Sequence, residues 1–425
     1  MAGELEIKVR LHRPIYQAMP TPQQAYLLLE AMPTTSASGK TQPVNFCLVL
    51  DRSGSMAGEK LRQMKAAAKR VVDYLGPNDL LSIVIFDDND PADLILAVGE
   101  VQDREMIKKK IEAIEERGGT HMSTGMRLGL QQLQRGQGSN RVSRMLVLTD
   151  GQTWEDQAEC QELADQSRQV GISIYMLGLG VGGESNWDPR LLEDLAQRSG
   201  GDWVAVDALD KVGTIFEDIL RSVQGTAVSN ANLTMRMVQG LSARAVWRVT
   251  PLISRLGHQA IGLHDIQIFL GDIQSGVGQS VLADVLLPPR QPGDYRMIQA
   301  DITYDVPDSG LSGQRASVDV VFPFTDDAAA ANQTEQSLMN VIEKVVAHKL
   351  QTQALDEAAA GEVVKATRRL RAAATRLLEL GETEMAEQAN QQAQNMEQKG
   401  QIDLDAAQKM RYATKRLTES ELPES

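Results

Sequence analysis

Leu5, Ile7, Val9 and Leu11 alternate with polar neighbours at the start of the chain, the two-residue period of a strand with one face in a core. Tyr26-Leu27-Leu28-Leu29 follows a proline-containing turn and reads as a second strand. From Val44 the pattern changes. Apolar strands near 44–50, 80–86, 93–98, 142–149, 172–179 and 203–206 are separated by amphipathic helical stretches near 57–75, 104–116, 124–135, 156–169, 189–198 and 208–222. Such alternation predicts an α/β unit, a doubly wound, mostly parallel, Rossmann-like sheet with helices on both faces. The short gap between the second and third strands predicts a hairpin and one antiparallel edge strand.

After about Ala227 the helical period stops. Short runs at 231–238, 244–249, 265–269, 280–287, 295–304 and 316–321 are punctuated by turn residues and predict an antiparallel β-sandwich. The two early strands need partners that an α/β unit does not offer. The expected organisation is therefore discontinuous: 1–41 and 224–325 form the sandwich, and 42–223 form an α/β domain inserted into it. Residues 332–420 are rich in Ala, Gln, Glu, Leu and Arg, with helix-period apolar positions at Val341, Val345, Val346, Leu350, Leu370, Leu377 and Leu378. Gly361, Gly381 and Gly400 divide them into three or four antiparallel helices, a C-terminal bundle.

The chain has 425 residues, 42% hydrophobic and 24% charged, which is ordinary for a globular protein of two or three domains. Its net charge of −14 disfavours nucleic-acid binding, which needs a basic face. The N-terminal residues lack a signal-peptide core, and no apolar run approaches the roughly 18 residues of a membrane span. Cys47 lies inside an apolar strand, where a buried thiol is the natural reading. A cytoplasmic location is the expectation.

The chemistry concentrates at Asp51-Arg52-Ser53-Gly54-Ser55, where the first α/β strand ends in a loop before a helix. One carboxylate and two hydroxyls at alternate positions are hard oxygen ligands suited to Mg²⁺, with Mn²⁺ or Ca²⁺ as substitutes. Such a set leaves the ion's charge incompletely neutralised and open to an acidic group from a partner. Gly118-Gly119-Thr120 adds a hydroxyl on a glycine loop, and the strand Leu146–Thr149 ends in Asp150-Gly151. In an open α/β sheet ligands gather beyond the carboxyl ends of the strands, so both acids fall on one edge.

Here the sequence resembles the von Willebrand factor type A domains with their metal-ion-dependent adhesion site, an Asp-x-Ser-x-Ser loop followed by a Thr and a later Asp. Asp51, Ser53, Ser55, Thr120 and Asp150 match in order, and the resemblance covers about 42–223. It implies that Ser53 and Ser55 coordinate the metal directly, that Thr120, Asp51 and Asp150 do so directly or through water, and that a partner carboxylate fills the open position. His121, Gln152 and Trp154 would form the rim that meets the partner. The interrupted sandwich also looks like integrin β subunits; their second metal needs an acidic cluster for which Glu59 supplies at most one member.

Other motifs carry less. Asp87-Asp88-Asn89-Asp90 reads first as a solvated turn and second as a cation site. Gly39-Lys40-Thr41 echoes a phosphate loop, but Thr34 stands where that motif needs Gly. Gly178-Leu179-Gly180-Val181-Gly182-Gly183 has dinucleotide-fingerprint spacing, with Asp202 and Asp207 beyond it, yet comes late in the sheet. Lys365, Arg368, Arg369, Arg371 and Arg376 make one C-terminal helix basic, a solvated face or a docking surface. The expected function is a non-enzymatic adaptor whose Mg²⁺ grips an acidic residue of a partner protein. The alternatives are an interaction protein working through its C-terminal helices with a structural metal, and a metal-dependent hydrolase with His121 as base.

Overall fold

The computed structural model describes residues 4–34, 42–138, 140–150, 153, 155–180, 189–206, 208–400 and 402–418. Its α/β sheet has six strands in the order Asp93–Glu100, Leu80–Phe86, Val44–Asp51, Val142–Thr149, Ser173–Leu179, Trp203–Val206. All neighbours are parallel except Asp93–Glu100, the antiparallel edge strand that pairs with Leu80–Phe86. Every residue of Val44–Asp51 and of Val142–Thr149 is buried. That is why these strands read as unbroken apolar runs: both faces of the sheet are covered. The helices Glu59–Tyr74, Arg104–Glu112 and Val212–Gln224 pack on one face, and Met122–Arg135, Gln157–Gln169 and Pro189–Ser199 on the other. Cys47 and Cys160 are buried free thiols.

The helix Met122–Arg135 lies directly on the sheet. A Cβ at Gly125 would fall 2.8 Å from Phe86 Cδ1, and one at Gly129 would fall 2.7 Å from Val49 Cγ2. The two glycines let the helix approach this closely, which fixes where its N-terminal loop meets the sheet edge.

Two antiparallel sheets face each other around a second core. One runs Leu5–Leu11, Gln23–Pro33, Gln279–Leu287, Ser242–Thr250, Ser254–Leu256; the other runs His258–Ala260, Asp265–Gln274, Thr226–Met237, Gly293–Val306, Leu311–Thr325, Tyr16–Gln17. Strands from both sides of the α/β unit in sequence therefore share each sheet. The chain can enter and leave that unit because the two connections lie side by side. Gln42 N–H donates to Gln224 O at 2.9 Å, and the Asp79 carboxylate accepts from Val44 N–H at 2.8 Å and from the Gln224 side chain at 3.3 Å.

The helices Gln336–Ala359, Val363–Glu379, Thr383–Lys399 and Leu404–Lys415 form the C-terminal bundle. They cover the outer face of the first sheet, where Leu28, Trp247, Val249 and Leu282 join the bundle core. Leu27 and Leu29 point instead into the sandwich, which explains the run Tyr26–Leu29: both of its faces are buried. Contacts between charged and aromatic side chains are among those that brace the α/β unit against the rest. Buried Arg144 pairs with Asp272, Arg168 stacks 4.5 Å over Phe269, and Lys415 pairs with Asp202. The basic helix is largely balanced by acids: Arg369 pairs with Glu357, Arg371 with Glu397, Arg376 with Glu343 and Lys365 with Glu362.

His348, buried in the bundle against Trp247, has its ring nitrogen 3.2 Å from Thr414 Oγ1. Burial, with Arg411 and Lys415 close by, lowers its pKa to about 3. The unfolded chain takes up that proton near 6.5, so the stability from neutral His348 is present above about pH 6.5 and lost as pH falls toward 3. We predict that His348→Gln, which keeps a polar group facing Thr414, flattens the loss of stability between pH 6.5 and 4 in urea titrations. An unchanged slope would mean that the acid sensitivity arises elsewhere.

Candidate metal centre

Strand order reverses between Val44–Asp51 and Val142–Thr149, and the first acid ends the former strand while the second follows the latter. This is the switch point at which open α/β sheets hold ligands. The first loop is built tightly. Ser53 N–H donates to Asp51 Oδ1 at 2.7 Å, Gly54–Met56 form one 3-10 turn, and fully buried Met56 anchors that turn in the core. The side-chain oxygens then form a continuous line: Ser53 Oγ lies 3.0 Å from Ser55 Oγ, and Ser55 Oγ donates to Asp150 Oδ1 at 2.7 Å. Asp51 is closed off on its other side by Thr149 Oγ1, which donates to Asp51 Oδ2 at 2.6 Å.

Backbone bonds hold the second loop against the first. Gly54 N–H donates to Gly118 O at 3.0 Å and Arg117 N–H to Arg52 O at 2.8 Å. Gly118 has φ +71°, a left-handed conformation that favours glycine, and a Cβ there would have to push the Asp88 carboxylate aside. Thr120 is tied in through its carbonyl, which accepts from Thr153 Oγ1 at 3.3 Å. Asp156 steadies the same corner by accepting from Ser123 N–H at 2.7 Å and from Thr153 Oγ1.

Asp87, the first acid of the Asp87–Asp90 cluster, is a structural hub. Its buried carboxylate accepts from Arg52 Nε at 2.9 Å, Arg117 Nε at 3.1 Å and Asn89 N–H at 2.7 Å, and its carbonyl accepts from His121 N–H at 2.8 Å. Burial would raise its pKa, but the bonds from Asn89 and the Arg52 guanidinium outweigh that and hold it low. Both guanidinium groups belong to the site loops, so one carboxylate sets their spacing.

Of the five expected ligands, Ser53, Ser55 and Asp150 are joined side chain to side chain, Asp51 is tied to them through the Ser53 backbone N–H, and Thr120 lies on the loop packed against them. Among the described residues no cluster of three or more His, Cys, Asp or Glu could hold a metal, so any ion here would rest on two carboxylates and on hydroxyls. Burial pushes the Asp51 pKa up to about 6; hydrogen bonds from Thr149 and Ser53 oppose the rise, and nearby Asp150 adds to it. The donor set is hard oxygen throughout and short of positive charge, which fits a small divalent cation. A stand-in cation is already drawn to it: Lys60 Nζ, on the first turn of Glu59–Tyr74, donates to Asp150 Oδ2.

His121 lies at the rim, its Nε2 3.7 Å from the exposed Glu155 carboxylate. Gln152 and Trp154, the other rim residues expected from sequence, lie outside the described residues, as do Gly39-Lys40-Thr41, Val181-Gly182-Gly183 and Asp207. Sequence reasoning passed over Lys60 and Thr149, and it read Asp87 as part of a solvated turn, whereas the Asp87 carboxylate is buried and bonded to Arg52, Arg117 and Asn89. Lys60 carried a signal: a lysine in a first helical turn sits where the helix dipole favours an acid.

The von Willebrand factor type A domain profile matches residues 45–218, from the first α/β strand into the helix Val212–Gln224. Residues 45–218 are a von Willebrand factor type A domain. Its fold extends to solved structures of nearly the same length. A von Willebrand factor type A protein from Catenulispora acidiphila superposes with a TM-score of 0.80 at 16% identity, covering 97% of this chain and 96% of that one. The ArnB paralog VWA2 from Sulfolobus acidocaldarius superposes with a TM-score of 0.59 at 16% identity over 97% and 99%. At these identities the likeness is one of fold.

A second profile, the Sll0103-like, C-terminal alpha-helical domain, matches residues 336–420. The protein sll0103 of Synechocystis sp. is 29% identical over 272 residues, 63% of each chain. Inter-alpha-trypsin inhibitor heavy chain H3 of Homo sapiens is 26% identical over 166 residues, 37% of this chain and 18% of that protein. The chain thus spans less than two thirds of the length of these relatives. Type A domains are in general protein-interaction modules, and they often hold a divalent metal. No helix among the described residues is long and apolar enough to cross a membrane.

The raised Asp51 pKa has a sign that can be checked in the type A domain without metal. An acid whose folded pKa exceeds its unfolded value favours folding below about pH 4 and loses that contribution as pH rises through about 6. In EDTA, wild-type protein should lose roughly 3 kcal/mol relative to Asp51→Asn between pH 4 and 7. Parallel stability curves for the two proteins would place the ionisation of Asp51 outside this range.

Proposed function

We propose that this chain is a metal-dependent protein-interaction module, an adaptor whose type A domain holds Mg²⁺ and uses it to grip an acidic residue of a partner protein. The observation that carries the reading is the line of oxygens from Ser53 through Ser55 to Asp150 at the strand switch point, with Asp51 bonded to the Ser53 backbone N–H and, among the described residues, no third acid, His or Cys clustered with the two carboxylates. Ser53 and Ser55 would hold the ion directly, with Asp51, Asp150 and Thr120 directly or through water. Bound there, the metal would act as an electrophile toward a carboxylate oxygen. Two carboxylates formally balance one divalent ion, but each also shares its charge with a hydroxyl donor, Asp51 with Thr149 and Asp150 with Ser55, and the hydroxyl ligands add none, so the ion would stay attractive to a third anion. His121 belongs to the rim of this contact in our reading, not to a reaction, because the partner its ring meets is the exposed Glu155 carboxylate.

A second reading, in which the C-terminal helices carry the partner, draws on Val364 and Leu378, which are 82% and 52% exposed on Val363–Glu379. Removing the helices would not separate the two, since they cover Leu28, Trp247 and Leu282 of the sandwich. Point substitutions do.

Calorimetry with the full chain should detect one Mg²⁺ or Mn²⁺ site that Asp51→Ala abolishes while far-UV circular dichroism stays unchanged. A partner captured in Mg²⁺ should be released by EDTA and by Asp51→Ala, but not by Val364→Asp. Metal binding that survives Asp51→Ala would sink the proposed site, and a partner lost only with Val364→Asp would move the function to the helices.

A further inference from the structure

Lys60 is the one group of the site that no ligand pattern calls for. Its side chain is 28% exposed, and it reaches across the loop to Asp150, whose side chain is fully buried. Its Nζ also lies 3.4 Å from Ser55 O. Both oxygens of Asp150 are thus engaged, Oδ1 by the Ser55 hydroxyl and Oδ2 by the lysine. The helix Glu59–Tyr74 gains nothing from this lysine locally, because a cation in the first turn opposes the helix dipole. What it gains is at Asp150: a buried carboxylate is costly unless paired, and the ammonium pairs it.

A divalent ion ligated by Ser55 and Asp150 would face the Lys60 ammonium at short range, and like charges in a partly dry site repel strongly. The lysine has four flexible carbons and an open side toward water, so it can leave; the carboxylates cannot. We infer that Lys60 is a tethered cation that competes with the divalent metal for Asp150, neutralising the site when no metal is bound and swinging out to the rim when metal binds. The inference rests on the metal reading proposed above. It adds a regulated threshold: metal must displace an internal counter-ion, and displacement delivers a positive charge to the rim where an acidic partner would arrive.

The test uses the full chain, with Mg²⁺ and Mn²⁺ as the probes. Lys60→Gln should tighten metal binding by about tenfold, the factor that one charge-assisted hydrogen bond represents. The same variant should melt at a lower temperature in EDTA, and Lys60→Arg should stay near wild type in both. The two effects of Lys60→Gln have opposite signs, which separates competition from a merely structural role, where both would fall together. Acylation of Lys60 by an amine-reactive reagent, followed by mass spectrometry, should rise when Mg²⁺ is added to wild type. Metal binding by wild type that Lys60→Gln leaves unchanged or weakens overturns the inference alone. Absence of binding in both proteins overturns the metal reading with it.

Discussion

Two carboxylates are taken out of water side by side at the switch point of the α/β sheet, and the rest of the site follows from what that costs. A buried ionised acid must be paired, hydrogen-bonded or protonated. Asp51 takes two hydrogen bonds, from Thr149 and Ser53, and is still held partly toward its protonated form. Asp150 takes one hydroxyl and one ammonium. The loops around them are correspondingly over-determined: a buried methionine anchors the first turn, and Asp87 fixes the spacing of the first and second loops through two guanidinium groups. Oxygens held in place like this would suit the proposed cation, for whose arrival the Lys60 side chain is the group that would have to move.

Much of the fold was legible in the chain because both periods were clean. The α/β strands read as unbroken apolar runs since helices cover both faces, and the edge strand was betrayed by the short connection before it. The early strands Leu5–Leu11 and Gln23–Pro33 announced the discontinuous sandwich by being too few to form a sheet of their own. The short strands Ser254–Leu256 and His258–Ala260 escaped notice, because three residues are too few to display a period.

Legibility of the site was narrower. Side-chain oxygens at alternate loop positions can be read from spacing, so Asp51, Ser53 and Ser55 stood out as candidates, and Asp150 followed from its place after a buried strand. Lys60 and Asp87 could not be found that way. Their partners lie 90 and 35 residues distant in the chain, and only the packed loops bring them together. Thr149 hid for a different reason: in sequence it is one more residue at the end of an apolar strand, and its hydroxyl matters only because Asp51 ends the strand beside it.

The side-by-side connections at Gln42 and Gln224 have a mechanical meaning. They meet at the amino end of the Val44–Asp51 strand, whereas Asp51 stands at its carboxyl end, roughly 25 Å away for a strand of this length. Tension applied to anything held at the site therefore runs lengthwise down the central strand to its root in the sandwich. The flanking parallel strands Leu80–Phe86 and Val142–Thr149 bond to that strand along almost its whole length. Their ladders would be loaded in shear, all bonds sharing the force at once, instead of being unzipped one at a time from an end.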